Sequence, residues 1–116
     1  MANNIAFQEM GKTVRINVSS TANTVAIDAD SPCNQLRIHN GTAAEVFIRC
    51  ANTSTANAAV PVANTPAYGM VLHNNSTVIV TAPRIATVEG GYRFYVSGIV
   101  ASSTAVIYVT PGEGML

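Results

Sequence analysis

The sequence predicts an all-β fold, a single antiparallel β-sandwich of jelly-roll type with eight or nine short strands, and three observations lead there. Apolar and polar residues alternate with a period of two, as where Val14, Ile16 and Val18 oppose Thr13, Arg15, Asn17 and Ser19. Turn-forming clusters recur at intervals of roughly 8–12 residues, the spacing of short strands joined by loops. No stretch has the period of an amphipathic helix, and without crossover helices a parallel sheet is excluded.

Residues 13–19 give the clearest strand, and residues 24–28 give a second, closed by the turn-prone Asp28-Ala29-Asp30-Ser31-Pro32. Residues 35–39 place Leu36 and Ile38 inward and Arg37 and His39 outward. Asn40-Gly41 follows, a pair that tolerates positive φ, so a hairpin is expected with a return strand over residues 45–51. That strand carries Val46, Ile48 and Cys50 on one face. Residues 52–67 are rich in Asn, Thr, Ser and Ala and contain Pro61 and Pro66. They read as a long connecting loop with a short strand at 60–62, and loops of this length are often functional surfaces. Residues 68–72 and 77–81 flank His73-Asn74-Asn75-Ser76 as a second hairpin, and Pro83 then breaks the sheet. Residues 85–88 and 92–97 are joined through Glu89-Gly90-Gly91, and residues 92–100 and 104–110 form a last hairpin around 101–103. Pro111-Gly112-Glu113-Gly114 ends the final strand.

A chain of 116 residues fits one sandwich domain over 1–116, with short N-terminal (1–12) and C-terminal (111–116) arms. Hydrophobic residues make up 48% and charged residues only 10%, against roughly 25% charged in typical soluble domains. So little charge protects weakly against association, which suggests that much of the surface is covered in the working state. Lys12 is the only lysine, and Arg15, Arg37, Arg49, Arg84 and Arg93 are scattered singly. Nucleic-acid binding needs a concentrated basic footprint, and a membrane surface needs a basic amphipathic helix; neither pattern is present. The first residues lack the charged start and apolar run of a signal peptide, so synthesis in the cytoplasm of the producing cell is expected.

Catalysis needs convergent side chains, and the pattern offers few. His39 sits on a polar strand face and His73 in a turn, too far apart for the closely spaced histidines of a cupin-type metal site. Asp28-Ala29-Asp30 starts like a calcium loop but lacks the glycine and the distal glutamate. Gly90-Gly91 has neither the spacing nor the following helix of a phosphate loop. Cys33 and Cys50 form no C-x-x-C unit; Cys50 reads as a small core residue, and pairing of the two stays open. The expectation is no enzyme activity, no cofactor, no metal and no small-molecule substrate.

Two runs carry a family resemblance. Leu36-Arg37-Ile38-His39-Asn40-Gly41-Thr42-Ala43-Ala44-Glu45-Val46-Phe47-Ile48-Arg49 resembles a recurring strand, turn and return-strand unit. Thr104-Ala105-Val106-Ile107-Tyr108-Val109-Thr110-Pro111-Gly112-Glu113-Gly114 is similar to a closing strand and tail. Both units are those of the small bacteriophage capsid cement, or decoration, proteins. The resemblance covers residues 36–114 apart from the 52–67 loop. It implies a jelly-roll structural protein on the outside of the virion that ties neighbouring major capsid protein subunits together. It also implies a homodimer or homotrimer, made in the bacterial host. The alternative is a receptor- or glycan-binding sandwich module of a tail fibre or spike.

Candidate partner-binding residues follow from apolar side chains placed where a solvated sheet would be polar. Phe47, Ile79 and Tyr95 lie opposite the expected core faces of their strands, and Val106 and Tyr108 back Ile107 and Val109 in the last strand. Ile5, Phe7 and Met10 at one end, and Met115 and Leu116 at the other, are apolar residues outside the clear strands. Covering by a partner and folding back onto the sandwich are both open for these arms.

Overall fold

Alternation of the kind seen at residues 14–18 buries one face of a strand and wets the other, and two sheets built from such strands close face to face. The computed structural model describes residues 7–87 and 91–114. Among them are ten strands: β1 (Gln8–Glu9), β2 (Val14–Val18), β3 (Asn23–Ala29), β4 (Gln35–Asn40), β5 (Val46–Ala51), β6 (Met70–Leu72), β7 (Thr77–Thr81), β8 (Ile85–Ala86), β9 (Tyr92–Ile99) and β10 (Ala105–Glu113). All pairings are antiparallel and the fold is a β-sandwich. The first sheet runs β7-β4-β10, with β2 and β1 end to end along the far side of β10. The second runs β3-β9-β5-β6, with β8 beside the start of β9.

The core lies between the sheets. Ile16, Val18, Leu36, Ile38, Ile107 and Val109 project from the first, and Ile27, Val46, Ile48, Phe94 and Val96 from the second. Each fully buried aliphatic or aromatic side chain contributes about 1.5–3 kcal/mol. These are the faces that the alternation marks as apolar. The strand count exceeds the expected eight or nine because of β1, two residues long and too short for periodicity to register, while the strand expected at residues 85–88 is β8, shortened to Ile85–Ala86. The strand expected at residues 60–62 is an isolated bridge between Val62 and Thr65.

Where the strands go after each turn differs from expectation. β4 and β5 lie in opposite sheets, as do β6 and β7, and β9 and β10; of the expected hairpins only β8–β9 pairs with itself. A few residues suffice to cross the roughly 10 Å between packed sheets. The local sequence therefore specifies a chain reversal but not its destination. Asn40-Gly41 does not adopt the expected positive-φ turn: among the described residues the non-glycine positions with positive φ are Asn64, Asn75 and Ser103.

Asn40 instead is fully buried. Its Nδ2 donates towards the carbonyls of Ala44 (2.7 Å), His73 (3.2 Å) and Leu72 (3.3 Å). Its Oδ1 accepts from the Thr42 amide (3.1 Å) and hydroxyl (2.7 Å). One side chain thus ties the β4–β5 and β6–β7 corners together. Residues assigned to terminal arms also enter the fold. β1 pairs with Gly112 and Glu113, the Met10 amide donates to the Pro111 carbonyl, and the Met10 carbonyl accepts from Asp30.

Candidate interaction surface

The second sheet has an outer face that the chain itself partly covers. Ser97 on β9 points outward yet is fully buried, because its hydroxyl accepts from the Ala58 amide at 2.8 Å. Thr24 Oγ1 donates to Asn57 Oδ1 at 2.7 Å, and Arg49 reaches the Asn57 carbonyl. The loop between β5 and β6 therefore folds back over the sheet. Gly69 completes the return: a Cβ there would collide with the Ala59 carbonyl oxygen, so only glycine allows the approach. The long loop singled out in the sequence is thus a lid on β5 and β9.

Where this loop reaches β6 the surface turns apolar. Val62 (69% exposed) and Tyr68 (71%) on the loop, and Met70 (45%) and Val71 (42%) on β6, are exposed. Val71, opposite Phe47, lies on the outer face, and Met70, opposite Ile48, on the face turned to the other sheet. The Arg49 guanidinium stacks 4.0 Å from the centre of the Tyr68 ring. Beside them a crevice of about 380 Å³ opens between the sheets. It is lined from the second sheet by Ile48, Cys50, Tyr68 and Met70 and from the first by Val80 and Thr81. It exists because β6 pairs with only residues 46–48 of β5, leaving the rest of that strand's edge unpaired there. Burial pushes the Cys50 thiol up to about 11, so it stays protonated at neutral pH. Burial and neighbouring Glu113 also raise the Cys33 thiol, and both cysteines are free.

The outer face of the first sheet is mixed. Tyr108 stands between Arg15 and His39, and Ile79 lies beside Arg37. The histidines acquire partners that sequence spacing could not reveal. His39 Nδ1 lies 2.7 Å from Thr77 Oγ1, and exposed His73 Nδ1 lies 3.1 Å from Glu45 Oε2. Among the described residues no group of three or more His, Cys, Asp or Glu gathers into a metal-binding cluster. Exposed Arg93 clamps Asp28 with bonds of 2.6 and 3.1 Å, which lowers the Asp28 carboxyl below its usual range.

The candidate partner-binding residues do not converge on one patch. Half-buried Phe47 and Tyr95 lie on the outer face of the second sheet, beside Val71 and Ala51 respectively. Half-buried Ile79 lies on the outer face of the first sheet, where Phe7 packs over Gly112. Met10 packs against the core. Ile5, Met115 and Leu116 lie outside the described residues. The apolar rim formed by Val62, Tyr68, Met70 and Val71 was not singled out in the sequence. Its signal is faint: isolated apolar residues in a polar loop, followed by a strand too short to show an outward face. Comparison with family models, with curated proteins and with solved structures found no match.

Proposed function

We propose that this chain is a structural virion protein of jelly-roll type that binds the outside of a bacteriophage capsid and cements neighbouring major capsid protein subunits. The observation that carries the reading is the apolar rim on a charge-poor sandwich. Val62, Tyr68, Met70 and Val71 are exposed apolar residues at the loop end and on β6, with no acidic residue among them, the composition of the buried centre of a protein interface. Two further features support it. The strand order β2-β10-β4-β7 facing β3-β9-β5-β6, with the chain crossing between sheets after β4, β6 and β9, is compatible with a jelly roll. The strand and tail at residues 104–114 carry the resemblance to the cement proteins. A cement protein acts without chemistry: many copies each add a modest contact, and the sum resists pressure from within.

The test is co-sedimentation with mature heads that lack the protein. Saturable binding in fixed ratio to the major capsid protein supports the reading, and Met70→Glu and Tyr68→Ala should weaken it without unfolding the chain. Absence of binding at every maturation state overturns it. One observation favours the alternative, a receptor- or glycan-binding module: the exposed Tyr68 ring lies on an Asn-rich loop, where a sugar face could stack. A glycan-array signal without head binding would select that reading.

A further inference from the structure

Every open sheet edge invites a partner strand, and natural sandwiches guard their edges with charge, proline, bulges or brevity. Three edges here are guarded in that way. β2 carries Arg15, β3 carries Asp28 and is tied to Gly11 by a bridge, and β6 is three residues long. β7 is not guarded. It ends the first sheet, pairs only with β4, and reads Thr77-Val78-Ile79-Val80-Thr81, with no charge, proline or glycine.

The register shows which groups face the open side. Ile79 stands opposite Arg37 in the β4–β7 pair. The bonds Asn40 N–H to Ser76 O and Ala82 N–H to Asn34 O extend that register at both ends. Alternate residues of an antiparallel strand bond to the same neighbour. Val78 and Val80 therefore bond to β4, while Thr77, Ile79 and Thr81 aim their N–H and C=O groups away from it. Among the described residues, no backbone bond outside the strand pairings reaches Thr77, Ile79 or Thr81.

The five-residue sequence is its own reverse. An antiparallel strand laid against β7 about a two-fold axis at Ile79 meets identical chemistry: Thr77 faces Thr81, Val78 faces Val80, and Ile79 faces itself. We propose that this edge is a homodimer joint, in which β7 of two copies pair antiparallel about Ile79 and fuse their first sheets into one continuous sheet. All three outward-facing residues then fall in hydrogen-bonded pairs, so no backbone group is stranded. The nearest like charges, the two Arg37 side chains, stand three strand spacings apart. That is about 14 Å, beyond a Debye length of about 8 Å at physiological salt. Self-complementarity of this kind is what an isologous interface requires, and it singles out a second copy over an unrelated strand. The inference stands apart from the capsid reading, since it uses only the strand and its register.

Sedimentation of the full chain from low micromolar to millimolar concentration, with amide exchange followed by NMR, tests the joint. A single short edge buries less than a standard interface of about 1,600 Å², so association should be concentration-dependent. The expected result is a monomer–dimer equilibrium in which the amides of Thr77, Ile79 and Thr81 slow by roughly a hundredfold as the dimer forms. The Val78 and Val80 amides, bonded within the monomer, stay protected throughout. Ile79→Pro removes an outward donor and Ile79→Lys places like charges on the axis; both should give a folded monomer. A chain that stays monomeric throughout, a trimer, or a dimer whose Thr77, Ile79 and Thr81 amides remain fast overturns the proposal. So does a folded Ile79→Lys variant that dimerises as before.

Discussion

Replacing Asn40 by alanine removes the buried side chain that holds both inter-sheet corners beside β4 and β7. Its Nδ2 has two hydrogens for three carbonyls, so it supplies two full bonds, and its Oδ1 accepts two more from Thr42. At a net value of about 1 kcal/mol per bond, the loss comes to ~4 kcal/mol. Thr42 and the Ala44 and His73 carbonyls can recover water, being only partly buried, so we expect ~3 kcal/mol. The Leu72 carbonyl, paired with Val46 in the β5–β6 ladder, loses only its second donor. Asn40→Asp should cost more at neutral pH, because a carboxylate would face carbonyl oxygens. Those carbonyls raise its folded pKa above the unfolded value of about 3.9. The variant is then least compromised below pH ~4 and loses stability as pH rises through the folded pKa. The internal control is Gly41→Ala. A Cβ there meets only His39 and Tyr108 at 3.7 Å, and Gly41 lacks positive φ, so the change should stay within ~0.5 kcal/mol of neutral. Urea unfolding followed by circular dichroism measures all three. If Asn40→Ala costs less than ~1 kcal/mol, or Gly41→Ala costs more than it does, the corner clamp is wrong and the Asn-Gly pair matters for its turn after all.

Ser97→Ala leaves the Ala58 amide buried without its acceptor, which should cost about 1–3 kcal/mol; fast exchange of that amide would show the loop lifting from the sheet. Gly69→Ala forces a Cβ into the Ala59 carbonyl, so limited proteolysis between residues 52 and 69 should accelerate while the core strands stay protected. The Cys50 thiol, raised to about 11 against an ordinary 9.0, keeps its proton longer in the folded chain. Its stabilising effect is therefore complete below pH ~9 and lost as pH rises through about 11. The fall is worth ~3 kcal/mol, and Tm measured across that range should drop less steeply in Cys50→Ser than in the parent.

The strand faces were legible in the sequence because burial writes itself into every second residue: Ile16, Val18, Leu36, Ile38, Val46, Ile48, Ile107 and Val109 all point inward as the alternation requires. Turn positions were equally plain, since Asn, Gly, Ser and Pro cluster there. The destinations of the turns were not, because a hairpin and an inter-sheet corner can share the same loop length and residues. Asn40 illustrates the difficulty: the residue type that suggests a positive-φ turn serves here through its amide side chain. The covered outer face of the second sheet was hidden for a related reason. Ser97 looks like a solvated polar residue until the loop from forty positions earlier is found lying on it. Interaction surfaces leave the weakest trace, since Val62 and Tyr68 lie in a loop that obeys no period.

The position of β10 has a consequence for how the chain comes to be folded. This last strand is the spine of the first sheet, pairing with β1 and β2 on one side and β4 on the other. Until residues 105–113 have been synthesised, β1 and β2 have no neighbour in their sheet, and the apolar faces of β4 and β7 have nothing to complete them. A growing chain on the ribosome cannot acquire the sandwich piece by piece; it must wait for β10 and then assemble almost at once. Because most partners are distant in sequence, that step should be slow for a domain of this size, in the range of milliseconds to seconds. During the wait its charge-poor β-strands are exposed to one another, so timely completion, rather than final stability, governs how much native protein a cell obtains.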